Sequence, residues 1–456
     1  MLLLLLACNA TPFQGWSRDP GSDSQDSDTA ASSDTPLDLE RSPRWESEES
    51  GVATGLAFAD VDQDGDPDLL VSYGNDIQRG PIALYENVDG KLQERAAWTS
   101  SGLHYYGHIS AADVNGDGFP DLVASRFIGD GGFSETGGVE LFLNQGGTLS
   151  TQPDWSAGGF HSFNNTLGDL DGDGDLDLAV AVGEPYHSTP ASSLVFENDG
   201  SGDFGASQIW SSPPGQALDV GLADLDGDGW LDLVLANVGT PHAMYPGGPD
   251  GLSDTPSWLA AGEDTRFEGN TLDIGDIDGD GHLDLVISDN LQLGGAGTVS
   301  VYCGPDWARC WESQDDPLYQ SAVRLEDVDG DDTLDLVAGA WGPEGSLGAS
   351  VRIYLNQGEA LEPEPSWISS PTSVIEALAF GDLDGSSSTV EVISGQGLQP
   401  IPRGRVVEAS GACTHEGWAS GPGEWSVSVL LPIRRDLAVS NWDKDIGNHL
   451  YGRSTP

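Results

Sequence analysis

Asp60-Val61-Asp62-Gln63-Asp64-Gly65-Asp66-Pro67-Asp68, followed at once by Leu69-Leu70-Val71, decides the fold. Acidic residues at positions 1, 3 and 5 of a tight loop aim their carboxylates at one point, and Gly at position 6 permits the reversal. A helix-flanked calcium loop would continue to a Glu at position 12 and then into a helix. Here the closing acid stands at position 9 and a β-branched apolar run begins immediately. The expected setting is therefore a β-hairpin.

The pattern recurs about every 50 residues, which marks a repeat architecture. Further copies begin at Asp113, Asp169, Asp224, Asp276 and Asp327, and a decayed one at Asp382. A Trp precedes each copy: Trp45, Trp98, Trp155, Trp210, Trp258, Trp311 and Trp367. An apolar strand follows each loop. A Gly/Pro-rich stretch then leads to a second strand ending in Asn, as at Leu84-Tyr85-Glu86-Asn87 and Leu141-Phe142-Leu143-Asn144. Each unit reads as four short strands, A to D, with the acidic loop joining A to B and the Trp on D. No stretch of useful length carries helical periodicity.

Four strands per unit make a propeller blade. One such sheet cannot bury both faces alone, and stacking blades around an axis buries them. The expected fold is an all-β propeller over residues 44–456. A lone D strand at Trp45 would complete a last blade read from 425–430, Asp436–Val439 and 449–451, which hides both open edges. Counted this way the ring has eight blades, with seven as the alternative.

The candidate metal ligands are Asp60, Asp62, Asp64, Asp66 and Asp68 in the first loop, and Asp113, Asn115, Asp117 and Asp121 in the second. Asp169, Asp171, Asp173 and Asp177 follow, then Asp224, Asp226, Asp228 and Asp232, then Asp276, Asp278, Asp280 and Asp284. The sixth set is Asp327, Asp329, Asp331 and Asp335, with Asp332 in the place of Gly. Hard oxygen donors without His or Cys select Ca²⁺, and six or seven of them suit Ca²⁺ better than Mg²⁺. About six structural ions are expected. The copy at Asp382 and Asp384 continues with Ser386 and Ser387 and is read as having lost tight binding.

These repeats resemble the FG-GAP/VCBS class, whose best-known relatives form the propeller of integrin α subunits. The resemblance rests on the Asp-rich loops, the strands after them, and the turns Asn144-Gln145-Gly146 and Asn356-Gln357-Gly358. It implies a calcium-bearing propeller and leaves the ligand open.

Composition narrows the function. The 456 residues carry 75 acidic and 17 basic side chains, a formal charge of −58, which repels nucleic acid and anionic membranes. The 14 Trp, 12 Phe and 10 Tyr nonetheless supply a core. Leu5-Leu6-Ala7-Cys8 resembles a bacterial lipobox, so residues 1–7 are read as a signal segment and Cys8 as its lipidation site. The apolar run is short and no basic residue precedes it. Residues 8–43, rich in Asp and Ser, read as a disordered tether. The expectation is export, with a lipid anchor at a bacterial membrane or cell surface as the only membrane contact.

Cys303 and Cys310 flank a short connection between strands C and D and are expected to pair in an oxidising compartment, leaving Cys413 alone. His104 and His108 have the spacing of a zinc pair, but they lie where a loop enters strand A. No nucleophile elbow and no phosphate loop is present. The reading is a monomeric binding, adhesion or scaffold module without enzymatic activity. Its protein or glycan partner would meet the face opposite the acidic loops. Aromatic-bearing connections gather there: His104 to Tyr106, Phe160 to Phe163, Pro185 to His187, Arg266, Phe267 and Trp341. The alternatives are a polysaccharide lyase or hydrolase on the same scaffold, or a spacer without a ligand.

Overall fold

Strands A and B of each repeat are buried at nearly every position, not at alternate ones, because a blade is covered on both faces by its neighbours. In the computed structural model, Ala53–Ala59 and Asp68–Tyr73 are buried throughout, as are Ala217–Ala223 and Asp232–Asn237. The structure describes residues 45–393 except 187–189, 261–266, 343–348, 359, 370–373, 377, 382 and 384–389, and beyond them the strands Val406–Ala409, Asp436–Val439 and Gly447–Leu450. The signal segment, Cys8, the acidic tether, His187, Arg266, Asp382, Asp384 and Cys413 lie outside the described residues.

Six blades consist of four consecutive antiparallel strands each. Their A strands are Ala53–Ala59, Tyr105–Ala112, Ser162–Gly168, Ala217–Ala223, Gly269–Gly275 and Gln320–Glu326. These strands lie against one another in chain order around the axis. The ring is closed by a composite four-stranded sheet that draws on both ends of the chain: Leu378–Gly381, Asp436–Val439, Gly447–Leu450 and Trp45–Ser50, in that order.

This overturns the count of eight blades and its alternative of seven, both made by counting repeats: among the described residues, six blades of consecutive strands are present. Leu378–Gly381, read as opening one blade, pairs directly with Asp436–Val439, read as belonging to the next. A separate hairpin, Val390–Ile393 with Val406–Ala409, interrupts the chain between them. Trp45 pairs with Leu450, which joins the first described strand to the last.

The core is divided into clusters between adjacent blades. The D-strand Trp of each of blades 1 to 5 meets an aromatic ring of the next edge-on. Trp98 faces Phe142, Trp155 faces Phe196, Trp210 faces Tyr245, Trp258 faces Tyr302 and Trp311 faces Tyr354, with centroids 5.0–6.2 Å apart. Such pairs add about 0.5–1.5 kcal/mol beyond the area they bury. Cys303 and Cys310 are joined by a disulfide across the C–D connection of blade 5.

His242 is 3% exposed, and its Nδ1 accepts from the Asn237 N–H at 3.1 Å. Burial lowers its pKa to about 3. The folded value lies below the unfolded one, so the stability this gives is present above about pH 6.5 and lost as pH falls towards 3. Replacing His242 by Phe is expected to flatten the pH dependence of unfolding free energy between these limits by about 1.4 kcal/mol per pH unit. Urea titrations of both proteins at several pH values measure it, and identical slopes would refute it.

Candidate metal centres and recognition face

Each acidic loop spans the turn from strand A to strand B, and all six are built alike. Position 6 takes a left-handed backbone, with φ of 101° at Gly65 and 69° at Asp332, the residue that replaces Gly in the sixth loop. The N–H of this residue donates to the first Asp of its loop, at 3.0 Å for Gly65 to Asp60 Oδ2 and 3.1 Å for Asp332 to Asp327 Oδ2. Position 4 is left-handed too, at Gln63 and at Gly116, Gly172, Gly227, Gly279 and Gly330. Five of the six loops thus carry glycine at position 4, plain in the sequence.

The loop geometry brings the carboxylates of positions 1, 3 and 5 together. Ligand oxygens of Asp60, Asp62 and Asp64 lie within 4.8 Å of one another, and so do those of Asp169, Asp171 and Asp173, of Asp224, Asp226 and Asp228, and of Asp276, Asp278 and Asp280. Asp60 Oδ1 is buried without a hydrogen-bond partner. Burial, and after it the neighbouring Asp64 and Asp62, raises the Asp60 pKa. Burial and then Asp331 and Asp327 do the same at Asp329. A gathered, all-oxygen anionic donor set with an orphaned oxygen fits a hard divalent cation. In the second loop Asn115 stands between Asp113 and Asp117, and its Oδ1 accepts from the Asp117 N–H at 2.9 Å. Asp66 is turned elsewhere, with Oδ2 accepting from the Asp89 N–H at 2.9 Å.

The ninth-position Asp has another set of partners. Asp68 Oδ2 accepts from the Val61 N–H at 3.1 Å and Oδ1 from the Asn87 N–H at 2.8 Å. Asp121, Asp177, Asp232, Asp284 and Asp335 repeat both bonds. Burial pushes these carboxyls up, to about 7 at Asp68 and about 8 at Asp335, and the backbone N–H bonds oppose the shift. Asp284 is also grouped with Asp278 and Cys303, whose sulfur is held in the disulfide.

The Asn that ends strand C has a role that sequence reasoning missed. Asn144 Nδ2 donates to Pro120 O of its own blade at 3.1 Å and to Val61 O of the preceding blade's loop at 2.8 Å. Asn87, Asn198 and Asn356 make the same double contact, reaching Leu383, Val114 and Ile277. Each acceptor across the seam is position 2 of an acidic loop. Blades 4 and 5 carry Gly247 and Gly304 at the Asn position. Their seams are held instead by indoles, with Trp210 Nε1 donating to Ser253 O at 3.2 Å and Trp258 Nε1 to Trp307 O at 3.1 Å.

On the opposite face most of the expected aromatics are packing residues. Tyr106 is 1% exposed and donates to Glu140 Oε2, and Phe163 lies in an apolar cluster with Phe127, Leu218 and Val238. His104 Nδ1 pairs with Asp130 Oδ1 at 2.8 Å. His108 is fully buried with neither ring nitrogen bonded, so the two histidines sit in unlike surroundings. Tyr186 is the exception, 44% exposed. Asp76, Glu376 and Glu184 gather around it, from connections of blades 1 and 3 and from the segment before Leu378. Glu376 is 1% exposed and accepts from Asn75 Nδ2 and Trp341 Nε1. Burial, and then Asp76, raises its pKa well above the carboxylate range.

An FG-GAP-like repeat model matches residues 60–124, 186–235 and 224–287, so these stretches are FG-GAP-like repeats. The propeller resembles that of integrin α subunits. The chain is 29% identical to Integrin alpha-5 of Xenopus laevis over 49% of its own length and 24% of the relative's, and 33% identical to human Integrin alpha-IIb over 32% and 16%. A stretch covering 28% of the chain is 32% identical to 18% of mouse Phosphatidylinositol-glycan-specific phospholipase D. The matches thus span a quarter or less of these relatives. Among solved structures, the β-propeller domain of Cps50 (Swd1) from Myceliophteria thermophila superposes with a TM-score of 0.52 over 81% of this chain and 99% of that one at 10% identity. The Dos1 propeller superposes at 0.50 over 84% and 97% at 9% identity, a likeness of fold alone.

Proposed function

We propose that this chain is a calcium-stabilised binding or adhesion module, exported and tethered through Cys8, whose protein or glycan partner docks on the face opposite the acidic loops. Ca²⁺ would be held by positions 1, 3 and 5 of the six loops, and bound there it neutralises their carboxylates. The residues themselves set the loop shape and link each loop to its neighbour. The observation that carries a recognition role is the group Asp76, Glu184 and Glu376 beside the exposed Tyr186. Acidic side chains, of which Glu184 and Glu376 are buried, next to an accessible aromatic ring suit a cationic or hydroxyl-rich ligand.

The test is capture of partners from a glycan array and a pull-down, by the wild type and by Tyr186→Ala and Asp76→Asn. Capture by the wild type that falls at least about tenfold in both variants, with an unchanged melting temperature, is the expected result, a loss of about 1.4 kcal/mol in binding. Unaltered capture by the variants would remove the ligand from this face. Turnover of a polysaccharide would replace the binding reading with the enzymatic one.

A further inference from the structure

Position 2 of each acidic loop stands between the first two candidate ligands, and in loop 1 it is pinned on both sides. Val61 lies between Asp60 and Asp62. Its N–H donates to Asp68 Oδ2 of its own blade at 3.1 Å, and its C=O accepts from Asn144 Nδ2 of blade 2 at 2.8 Å. The Asn144 N–H donates to Asp121 Oδ1 at 2.6 Å, and Asp121 Oδ2 accepts from the Val114 N–H at 3.0 Å. Val114 stands between Asp113 and Asn115 of loop 2. Two side chains, Asn144 and Asp121, thus connect the ligand-bearing turn of loop 1 with that of loop 2. The line continues, because Val114 O accepts from Asn198 Nδ2 at 2.7 Å, and Asn198 and Asp177 carry it to Leu170 in loop 3. Asn356 and Asp335 likewise connect Ile277 of loop 5 with Val328 of loop 6.

On both sides of loop 4 this line is broken. Gly247 and Gly304 give their N–H groups to Asp232 and Asp284 as the asparagines do elsewhere. Glycine has no side-chain amide to reach Leu170 of loop 3 or Leu225 of loop 4. Loop 3 meets loop 4 by another contact, the Trp230 ring against Gly172, at position 4 and not at the residue between the first two ligands.

We propose that the loops take up Ca²⁺ in coupled groups, loops 1, 2 and 3 as one and loops 5 and 6 as another, while loop 4 fills independently. The inference rests on the calcium reading above and adds the order of loading to it. The shared element has two states. Without a cation the Asp60 and Asp62 carboxylates repel, and the turn between them opens, drawing Val61 away from Asn144 and Asp68. Once that charge is neutralised the turn closes and both bonds are made. Asn144 is then held, and through Asp121 it holds Val114 in the shape that loop 2 needs. Ordering one loop therefore favours the ordered form of the next, and by linkage the effect runs equally in reverse.

Hydrogen exchange of the full chain in Ca²⁺-buffered solutions, read on the peptide covering each loop, tests the coupling. In the wild type, loops 1, 2 and 3 should gain protection over one common range of free Ca²⁺, and loops 5 and 6 over another. Asp60→Asn with Asp64→Asn, which disables loop 1, should raise the Ca²⁺ concentration that half-protects loop 2 at least about fivefold and leave loop 4 unchanged. Asn144→Gly, which gives blade 2 the glycine of blades 4 and 5, should shrink that shift to within about twofold. A loop 2 midpoint that ignores the loop 1 substitutions, a loop 4 midpoint that moves equally, or a shift that persists in Asn144→Gly would overturn the coupling and leave calcium binding standing. Loops indifferent to Ca²⁺ would overturn calcium binding as well. If Asn144→Gly does not fold, the comparison of loops 2 and 4 in the loop 1 variant decides the matter.

Discussion

Stripping divalent ions from this protein lowers its thermal unfolding midpoint by more than about 10 °C, and returning Ca²⁺ restores it. An ion that binds only the folded state stabilises it by about 2.7 kcal/mol when free ion is a hundred times Kd, and six loops repeat the donor set. Removing ions also leaves like charges gathered within each loop, as at Asp60, Asp62 and Asp64. Calorimetry with and without chelator, paired with metal counting by mass spectrometry, measures both quantities. About six Ca²⁺ per chain is the expected stoichiometry, and Mg²⁺ at the same concentration should restore less, because it demands a tighter octahedron. An unchanged midpoint after verified ion removal would refute structural ions.

Asn144→Ala is expected to cost about 2–4 kcal/mol, far more than a typical polar-to-Ala change. The amide satisfies Val61 O across the seam of blades 1 and 2 and Pro120 O within blade 2. At this seam Trp98 Nε1 is buried without a partner. The seam of blades 2 and 3 carries both devices, Asn198 on Val114 O and Trp155 Nε1 on Gly205 O at 2.8 Å. Hydrogen exchange discriminates the two. Amides flanking Val61 and Asn144 should lose protection in Asn144→Ala, while the corresponding seam in Asn198→Ala stays closed. Equal opening of both seams would show that the indole bond contributes nothing.

Much of the architecture was legible because its causes are local. Carboxylate spacing, the positive φ at Gly65 and the apolar run after Asp68 lie within a dozen residues and report one hairpin. Seam chemistry was legible only in part. The recurrent Asn was visible as a turn residue, but its acceptor belongs to another blade, as Val61 does for Asn144. The blade count failed because the composite sheet takes Leu378–Gly381 from one repeat and Asp436–Val439 from beyond an intervening hairpin. Periodicity cannot show such a skip. The aromatic connections misled for a related reason: whether Phe163 or Tyr186 meets solvent depends on how far the blade 2 hairpin reaches over the axis, which no short stretch encodes.

The pairing of Trp45–Ser50 with Gly447–Leu450 makes assembly a race against time. Every hairpin of the six blades can form as soon as it leaves the ribosome, since its partners are sequence neighbours. The wheel itself stays open until Gly447–Leu450 has emerged, so Trp45–Ser50 waits through some four hundred residues for its mate and the outer flank of blade 1 stands bare meanwhile. Loop-closure entropy makes so distant a junction slow. Holdase chaperones are therefore expected to recognise the nascent chain at this flank, and variants that weaken the junction should lower yield through aggregation before they measurably alter the finished protein.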